Sequence, residues 1–307
     1  MGQNAGYTTN IEYIKETSFA TTPTNPAMKW IGIVTDVKLT DKPKSFSTRY
    51  FVSNGFTGAK SAAYIHAKTV AEAGVEIEYV PQSILGGFFG YALGGDETTC
   101  SGLLDGISSV TIGTIITGGS NKYIIYKGCV VDEFTLTIPE DDVIKCSAKF
   151  TAADASAPSA VDYKGTGSHA TESTDSPLTC DDVSNVQFST DNGSTWASAA
   201  DIVREIEVTV SNKNVYLKDI DSANSTHIAG VVNTGKDLKL GLELYYDDLS
   251  LLTQVRALTK CGFKFTCGSK TFTFTGVQFP EYPLDVKPDE VIGDKIESLQ
   301  ITGLTIT

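Results

Sequence analysis

Apolar and polar residues alternate with a period of two along much of the chain. "VEIEYV" (75–80), "FTLTI" (134–138), "KCSAKF" (145–150), "EIEVTV" (205–210) and "LKLGLELYY" (238–246) carry the pattern most clearly. That period places every second side chain on one face, the signature of half-buried β-strands. Two stretches carry a helical period instead. One covers about 82–93, with Ile84, Leu85, Phe88, Phe89 and Ala92 on one face and Gly86, Gly87 and Gly90 opposite. The other covers about 248–260, with Leu251, Leu252, Val255 and Leu258 inside and Asp248 as its cap.

Turn chemistry fixes two registers. A Gly268-Ser269 turn sets Phe265 opposite Phe272 and Phe263 opposite Phe274, so four aromatics share a face. The strands around "PEDD" keep Phe134, Leu136 and Ile138 with Ile144, Cys146, Ala148 and Phe150 if the loop is odd in length. A three-residue Glu140-Asp141-Asp142 turn meets that condition and places Cys129 on the face opposite Cys146.

The pattern is written twice. "GVEIEYVPQSIL" from Gly74 matches "GLELYYDDLSLL" from Gly241. "GGSNKYIIYKG" (118–128) matches "CGSKTFTFTG" (267–276), and "PEDDVI" from Pro139 matches "PDEVI" from Pro288. Three matches in one order point to an internal duplication. A polar run, "AADASAPSAVDYKGTGSHATESTDSP" (152–177), separates the copies. The expected organisation is a first β domain over 1–155, a polar linker or loop over 156–177, and a second β domain over 178–307. The fold class expected is mainly β, with two tandem sandwich or barrel-like domains and one short packed helix in each. Residues 211–237 read as a long polar excursion, either a floppy loop or a protruding hairpin that orders against a neighbouring subunit.

Composition narrows the chemistry. The 307 residues carry a formal net charge of −13 and are 41% hydrophobic, which suits a soluble globular chain. There are three arginines (49, 204 and 256) and no basic stripe of the kind nucleic-acid binders use. No run of about 18 apolar residues exists to cross a membrane. The N-terminus lacks a secretory signal, so synthesis in the host cytoplasm is expected. The six cysteines (100, 129, 146, 180, 261 and 267) form no CxxC pair, and the three histidines (66, 169 and 227) stand apart. Reduced cysteines and no metal site are expected, with no cofactor and no catalytic residue.

One octapeptide argues for an enzyme. "STDNGSTW" (189–196) is letter for letter the Asp-box of sialidases, which keeps a carbohydrate-binding or sialidase-like alternative open. The motif is a hairpin: Asp191 ties turn amides, Gly193 takes a positive φ and Trp196 packs beneath the loop. It occurs once, where a propeller repeats it per blade.

Several segments together resemble the tailed-virus tail tube (major tail protein) family. They are the Thr/Pro-rich entry "ETSFATTPTNPAMKWIGIV" (16–34), the strand pair "YKGCVVDEFTLTIPEDDVIKCSAKFTA", the strand-then-helix "GKDLKLGLELYYDDLSLLTQVRAL" and the C-terminal "FTFTGVQFPEYPLDVKPDEVIGDKIESLQITG". The resemblance implies a structural virion protein whose sheet closes with neighbours into stacked rings, located in the virion tail. It implies trimeric (pseudo-hexameric) rings given the duplication, or hexameric ones, with tape measure and tail-completion or baseplate proteins as partners. Genomic DNA would pass an acidic lumen without specific binding, and no membrane or catalytic residue is involved. Another tail or baseplate β protein, such as a sheath subunit, is the remaining alternative.

Overall fold

The computed structural model describes residues 8–53, 60–82, 87–96, 101–117, 120–218, 228–245, 259–280 and 293–307. The first half contributes β1 (Thr8–Lys15), β2 (Lys29–Trp30), β3 (Ile33–Ser53), β4 (Lys60–Val80) and the helix α1 (Gly87–Ala92). It continues with β5 (Val110–Thr117), β6 (Lys122–Ile138), β7 (Lys145–Ala152) and β8 (Asp154–Ala155). The second half contributes β9 (Val183–Ser189), β10 (Ala197–Ser198), β11 (Val203–Lys218) and β12 (Ile228–Tyr245). It ends with β13 (Cys261–Cys267), β14 (Lys270–Val277), β15 (Gly293–Glu297) and β16 (Gly303–Ile306). The protein is mainly β, as the alternation predicts.

The seventeen-residue β6 organises the fold. Its first part pairs β5 and β8 in a small sheet ordered β2-β1-β5-β6-β8. At Gly128, with φ +61°, the strand passes into a second sheet; a Cβ there would lie 2.7 Å from that of Ala153. The later part of β6 pairs β7 on one edge and β11 on the other. The result is a large antiparallel sheet ordered β3-β4-β7-β6-β11-β12-β15. A third sheet, β10-β9-β13-β14-β16, repeats the strand order of the small one. Its Gly276, with φ +62°, ends the β13–β14 hairpin as Gly128 ends β5–β6.

Both small sheets cover one face of the large sheet, and one hydrophobic cluster runs through both halves. The inward positions of the alternating strands are Phe134, Leu136, Cys146, Ala148, Phe150, Val208, Val210, Leu240 and Leu242, each at most 2% exposed. The helix α1 is the keystone between the halves. Phe88 packs on Tyr13, Tyr79 and Phe150, while Phe89 meets Phe134 and, across the chain, Phe272. Phe88, Phe89 and Ala92 are buried as the helical period requires, but Gly90, Tyr91 and Leu93 are buried as well, so the helix is not one-sided. It is also shorter than the 82–93 expected, since Gln82 bridges Pro177 and Ile84, Leu85 and Gly86 lie outside the described residues. The second helix expected, 248–260, falls mostly outside the described residues.

The aromatic register holds: Phe265 faces Phe272 and Phe263 faces Phe274, all buried. In the "PEDD" hairpin the ladder ends at Thr137↔Lys145, and Val143 bridges Thr179 instead of extending it. The expected opposition of Cys129 and Cys146 is corrected. A register shift between Val131 and Glu133 reverses the alternation, so both thiols reach the core. The five described cysteines are nonetheless free.

The polar run after β8 is fastened down rather than loose. Ser156 N donates to Ile125 O, and Tyr123 and Ser159 exchange backbone bonds. Glu12, 3% exposed, accepts from Tyr163 Oη at 2.5 Å and Ala170 N at 2.7 Å, and lies 2.7 Å from His169 Nδ1. His169 Nε2 lies 2.9 Å from Asp162. These bonds satisfy a buried carboxylate that would otherwise be costly.

Because the halves share β6 and one core, they should unfold together. Trp30 and Trp196 report on different halves, so single-tryptophan variants Trp30→Phe and Trp196→Phe should give coincident urea transitions by fluorescence. Two separated midpoints would contradict the shared core.

Candidate functional site

With one face of the large sheet buried, the outward positions form a broad polar surface, and the register aligns them in rows. One row runs Lys38, Glu76, Lys149, Glu133, Ser211 and Asp237 across β3, β4, β7, β6, β11 and β12. The next holds Asp36, Glu78, Ser147, Thr135, Thr209 and Lys239. A third holds Lys145, Thr137, Glu207, Gly241 and Glu297, and a fourth Glu205, Glu243 and Lys295. Nine carboxylates and five lysines leave these four rows four charges negative.

Neighbouring rows and strands trade ion pairs. Lys38 Nζ lies 2.8 Å from Glu76, whose carboxyl that bond holds below its ordinary pKa. Lys295 lies 2.9 Å from Glu207 and 3.8 Å from Glu205. Burial opposes the Lys295 charge, but the Glu207 bond and the carboxylates around it prevail and raise its pKa. Arg204 spans Glu140 and Glu243 at 3.1 Å each. Such exposed pairs add little stability individually; they space the charge evenly across the face.

Two ribbons project from the sheet. Past Asp41↔Ala73, the last β4 residue held by β7, β3 and β4 pair only with each other, from Lys44↔Thr69 to Ser53↔Lys60. At strand rise this reaches about 30 Å. Pro43 sits at the register shift between Lys42 and Lys44, where a strand tolerates a missing N–H. Residues 44–69 carry Lys44, Arg49, Lys60 and Lys68 and no acidic residue, against the negative charge of the whole chain.

Of the two readings of 211–237, the described residues form the projecting hairpin as a second ribbon, with 219–227 outside them. β11 and β12 stay paired to Lys218↔Ile228, beyond Ser211, the last residue bonded to β6. Its root is pinned by side chains. Asn212 Nδ2 donates to Ala92 O and Val131 O, and Asn214 Nδ2 to Val131 O and Asp132. Asp132 also accepts from Thr151 Oγ1 at 2.6 Å and from Tyr216 Oη. Burial and that carboxylate push the Tyr216 hydroxyl pKa up. Lys236 Nζ reaches Ala92 O and Gly106 O, and burial lowers its pKa to about 8. The other side of the ribbon presents Val215, Leu217 and Val232, each 47–50% exposed.

The Asp-box forms as its letters predict. Asp191 accepts from Ser189 Oγ, Thr195 N and Thr195 Oγ1 at 2.6–2.8 Å, which holds its pKa at about 2, the Thr195 side chain contributing most. Gly193 takes φ +96°, and its Cα faces Trp196, which stacks under Lys264. A hollow of about 170 Å³ lies beside it, walled by Phe188, Trp196, Val203, Leu242, Leu244 and Phe263. Among the described residues, no acid, histidine or cysteine lines that hollow. Burial pushes the thiols of Cys261 and Cys267 up to about 11 and about 12, away from nucleophilic character. Among the described residues no cluster of His, Cys, Asp and Glu is placed to hold a metal.

A model of the phage tail tube protein family matches residues 6–303, nearly the whole chain. The chain belongs to this family, a structural component of the virion tail whose members associate with one another and with other tail proteins. A search of curated proteins gives no match.

Two outcomes follow. Asp132→Ala removes three hydrogen bonds and should cost roughly 1–3 kcal/mol in urea denaturation, with faster amide exchange over 212–218. A depressed carboxyl stabilises above the unfolded value and is lost as pH falls through the folded one. The Asp-box should therefore hold above about pH 4 and weaken toward pH 2, while Asp191→Asn should lose that acid dependence when read by Trp196 fluorescence.

Proposed function

We propose that this chain assembles into stacked rings that form the tail tube, with the outward face of the large sheet lining the lumen. The observation that carries the reading is the union of tail tube family membership with a wide sheet buried on one face and evenly polar, net negative, on the other. A polyanion passing such a wall meets weak repulsion and no fixed cationic patch, so the genome slides without being held. The repeated strand order and the paired glycines 128 and 276 support an internal duplication, with domains about the polar segment 156–177. Two equivalent halves per chain favour three chains per pseudo-hexameric ring over six. Tape measure, tail-completion and baseplate proteins are the partners, and synthesis takes place in the host cytoplasm.

Electron microscopy at rising protein concentration should show rings or tubes with an axial pore. Monomers under every salt and concentration condition would contradict the proposal. The assembled wild type should leave duplex DNA unshifted in a gel at about 0.15 M salt, whereas a Glu76→Lys, Glu133→Lys, Glu207→Lys triple variant should retain it. Equal mobility in both would contradict the lumen assignment.

A further inference from the structure

The polar run 156–177 is a strap across the outer face of the small sheet β2-β1-β5-β6-β8. At Gly113 on β5 the strap lies directly on the sheet, since a Cβ there would come within 2.4 Å of the Tyr163 ring. In the second half the matching glycine, Gly262 on β13, is covered by Trp196 of the Asp-box hairpin, which contains no histidine. The first half fastens its cover with one. His169 Nδ1 lies 2.7 Å from Glu12 Oε1, and its Nε2 lies 2.9 Å from Asp162 Oδ2.

Those two contacts define the charge of the ring. A neutral imidazole carries one N–H, so one contact would set a nitrogen lone pair against a carboxylate oxygen; only the imidazolium donates to both. Glu12 is buried on β1 and also accepts from Tyr163 Oη and Ala170 N, which engages both of its oxygens. Burial opposes the Asp162 charge, but bonds from Lys164 N and the His169 ring prevail and lower its pKa. Burial and the Glu12 carboxylate push the Tyr163 hydroxyl pKa far up, so it stays a donor. Lys164 Nζ lies 3.4 Å from Asp162, and Tyr123 of β6 lies parallel to the His169 ring with centroids 6.1 Å apart. Around the cavity beside His169, β2 contributes Trp30 and β5 contributes Ile115 and Thr117, none of them charged.

We propose that His169 is a pH-sensitive latch: as an imidazolium it clamps the middle of the strap, residues 160–170, to β1 through Glu12, and its deprotonation releases that segment from the outer face of the small sheet. Histidine is the side chain that ordinarily changes charge in the neutral range. The stabilisation exists while the ring holds both protons and is lost as pH rises and one of them leaves. The ends of the strap stay fixed, because Ser156 bonds Ile125 and Gln82 Nε2 donates to Ser173 O and Asp175 O, with no titrating group. The bonds of Thr166 N to Asn25 and of Ser168 to Pro26 and Met28 are likewise neutral. The hold that varies near neutral pH is therefore that of the ring. Release uncovers Gly113 and the Glu12 carboxylate, so the first half changes its outer surface with pH while the second half, under Trp196, keeps its own.

Trypsin tests the latch directly, because Lys164 is the single lysine or arginine within 153–177. Fragments are followed by mass spectrometry at about pH 6 and about pH 8.5, with rates normalised to a short lysine peptide digested alongside. Cleavage after Lys164 should be at least about tenfold faster at the higher pH, since proteolysis tracks the open population. Cleavage after Lys149 in β7 and Lys264 in β13 should keep one normalised rate. A His169→Gln variant, whose amide carries no charge, should be cut after Lys164 at the same fast rate at both pH values. Equal wild-type rates at the two pH values, or a rise shared by Lys149 and Lys264, would overturn the latch. So would an unchanged pH dependence in His169→Gln. The wild-type ratio decides the matter even where the variant fails to fold.

Discussion

The backbone of β6 carries the architecture. A strand in the middle of a sheet must have its N–H and C=O groups paired on both edges, because an orphaned buried group is costly. The outer part of β6 meets this requirement with β7 from its own hairpin and β11 from the other half of the chain. That single arrangement fuses two repeated strand sets into one large sheet. It commits Phe134, Leu136 and Ile138 to a core shared with Ile206, Val208 and Val210. The helix α1 then closes the seam, its Phe89 touching Phe134 and Phe272 from opposite halves.

The polar face and the ribbons follow from the same seam. Once the inner face is covered by two small sheets, alternation puts charges such as Glu76, Glu78, Lys149, Glu133, Glu207, Glu243 and Lys295 on the other side, in register. The ribbons begin where the neighbouring strands stop, past Asp41↔Ala73 and past Ser211. The β11–β12 ribbon needs its own anchors there, and Asn212, Asn214 and Asp132 supply them. The chemistry of the chain is accordingly that of surfaces, in keeping with a family of structural tail proteins. The sialidase-like and carbohydrate-binding reading of the Asp-box is not favoured, since its Asp191 is spent on the hairpin itself.

Local rules made much of this legible. A two-residue Gly268-Ser269 turn leaves no freedom in how Phe263 and Phe265 meet Phe274 and Phe272. The same holds for the inward residues around "PEDD". Where a bulge intervened, parity failed, as at Cys129, since nothing local in "CVVDEF" announces the extra residue between Val131 and Glu133. The stretch 211–237 left loop and hairpin both open for a different reason. Its asparagines look like turn formers, but they spend their amides on Val131 O and Ala92 O, a use visible only once β6 and β11 are neighbours. The cross-strand pair of β-branched Val215 and Val232 was the available sign of a ladder. The charged rows of the outer face were equally hidden, because each needs several non-local registers at once.

The central claim is that one chain supplies two equivalent wall segments. Its most direct test is the rotational symmetry of an assembled ring, averaged in axial view and combined with the number of chains from native mass spectrometry. The account predicts three chains with six similar lobes, seen as a strong six-fold and a weaker three-fold component. Six chains in a strictly six-fold ring would contradict it.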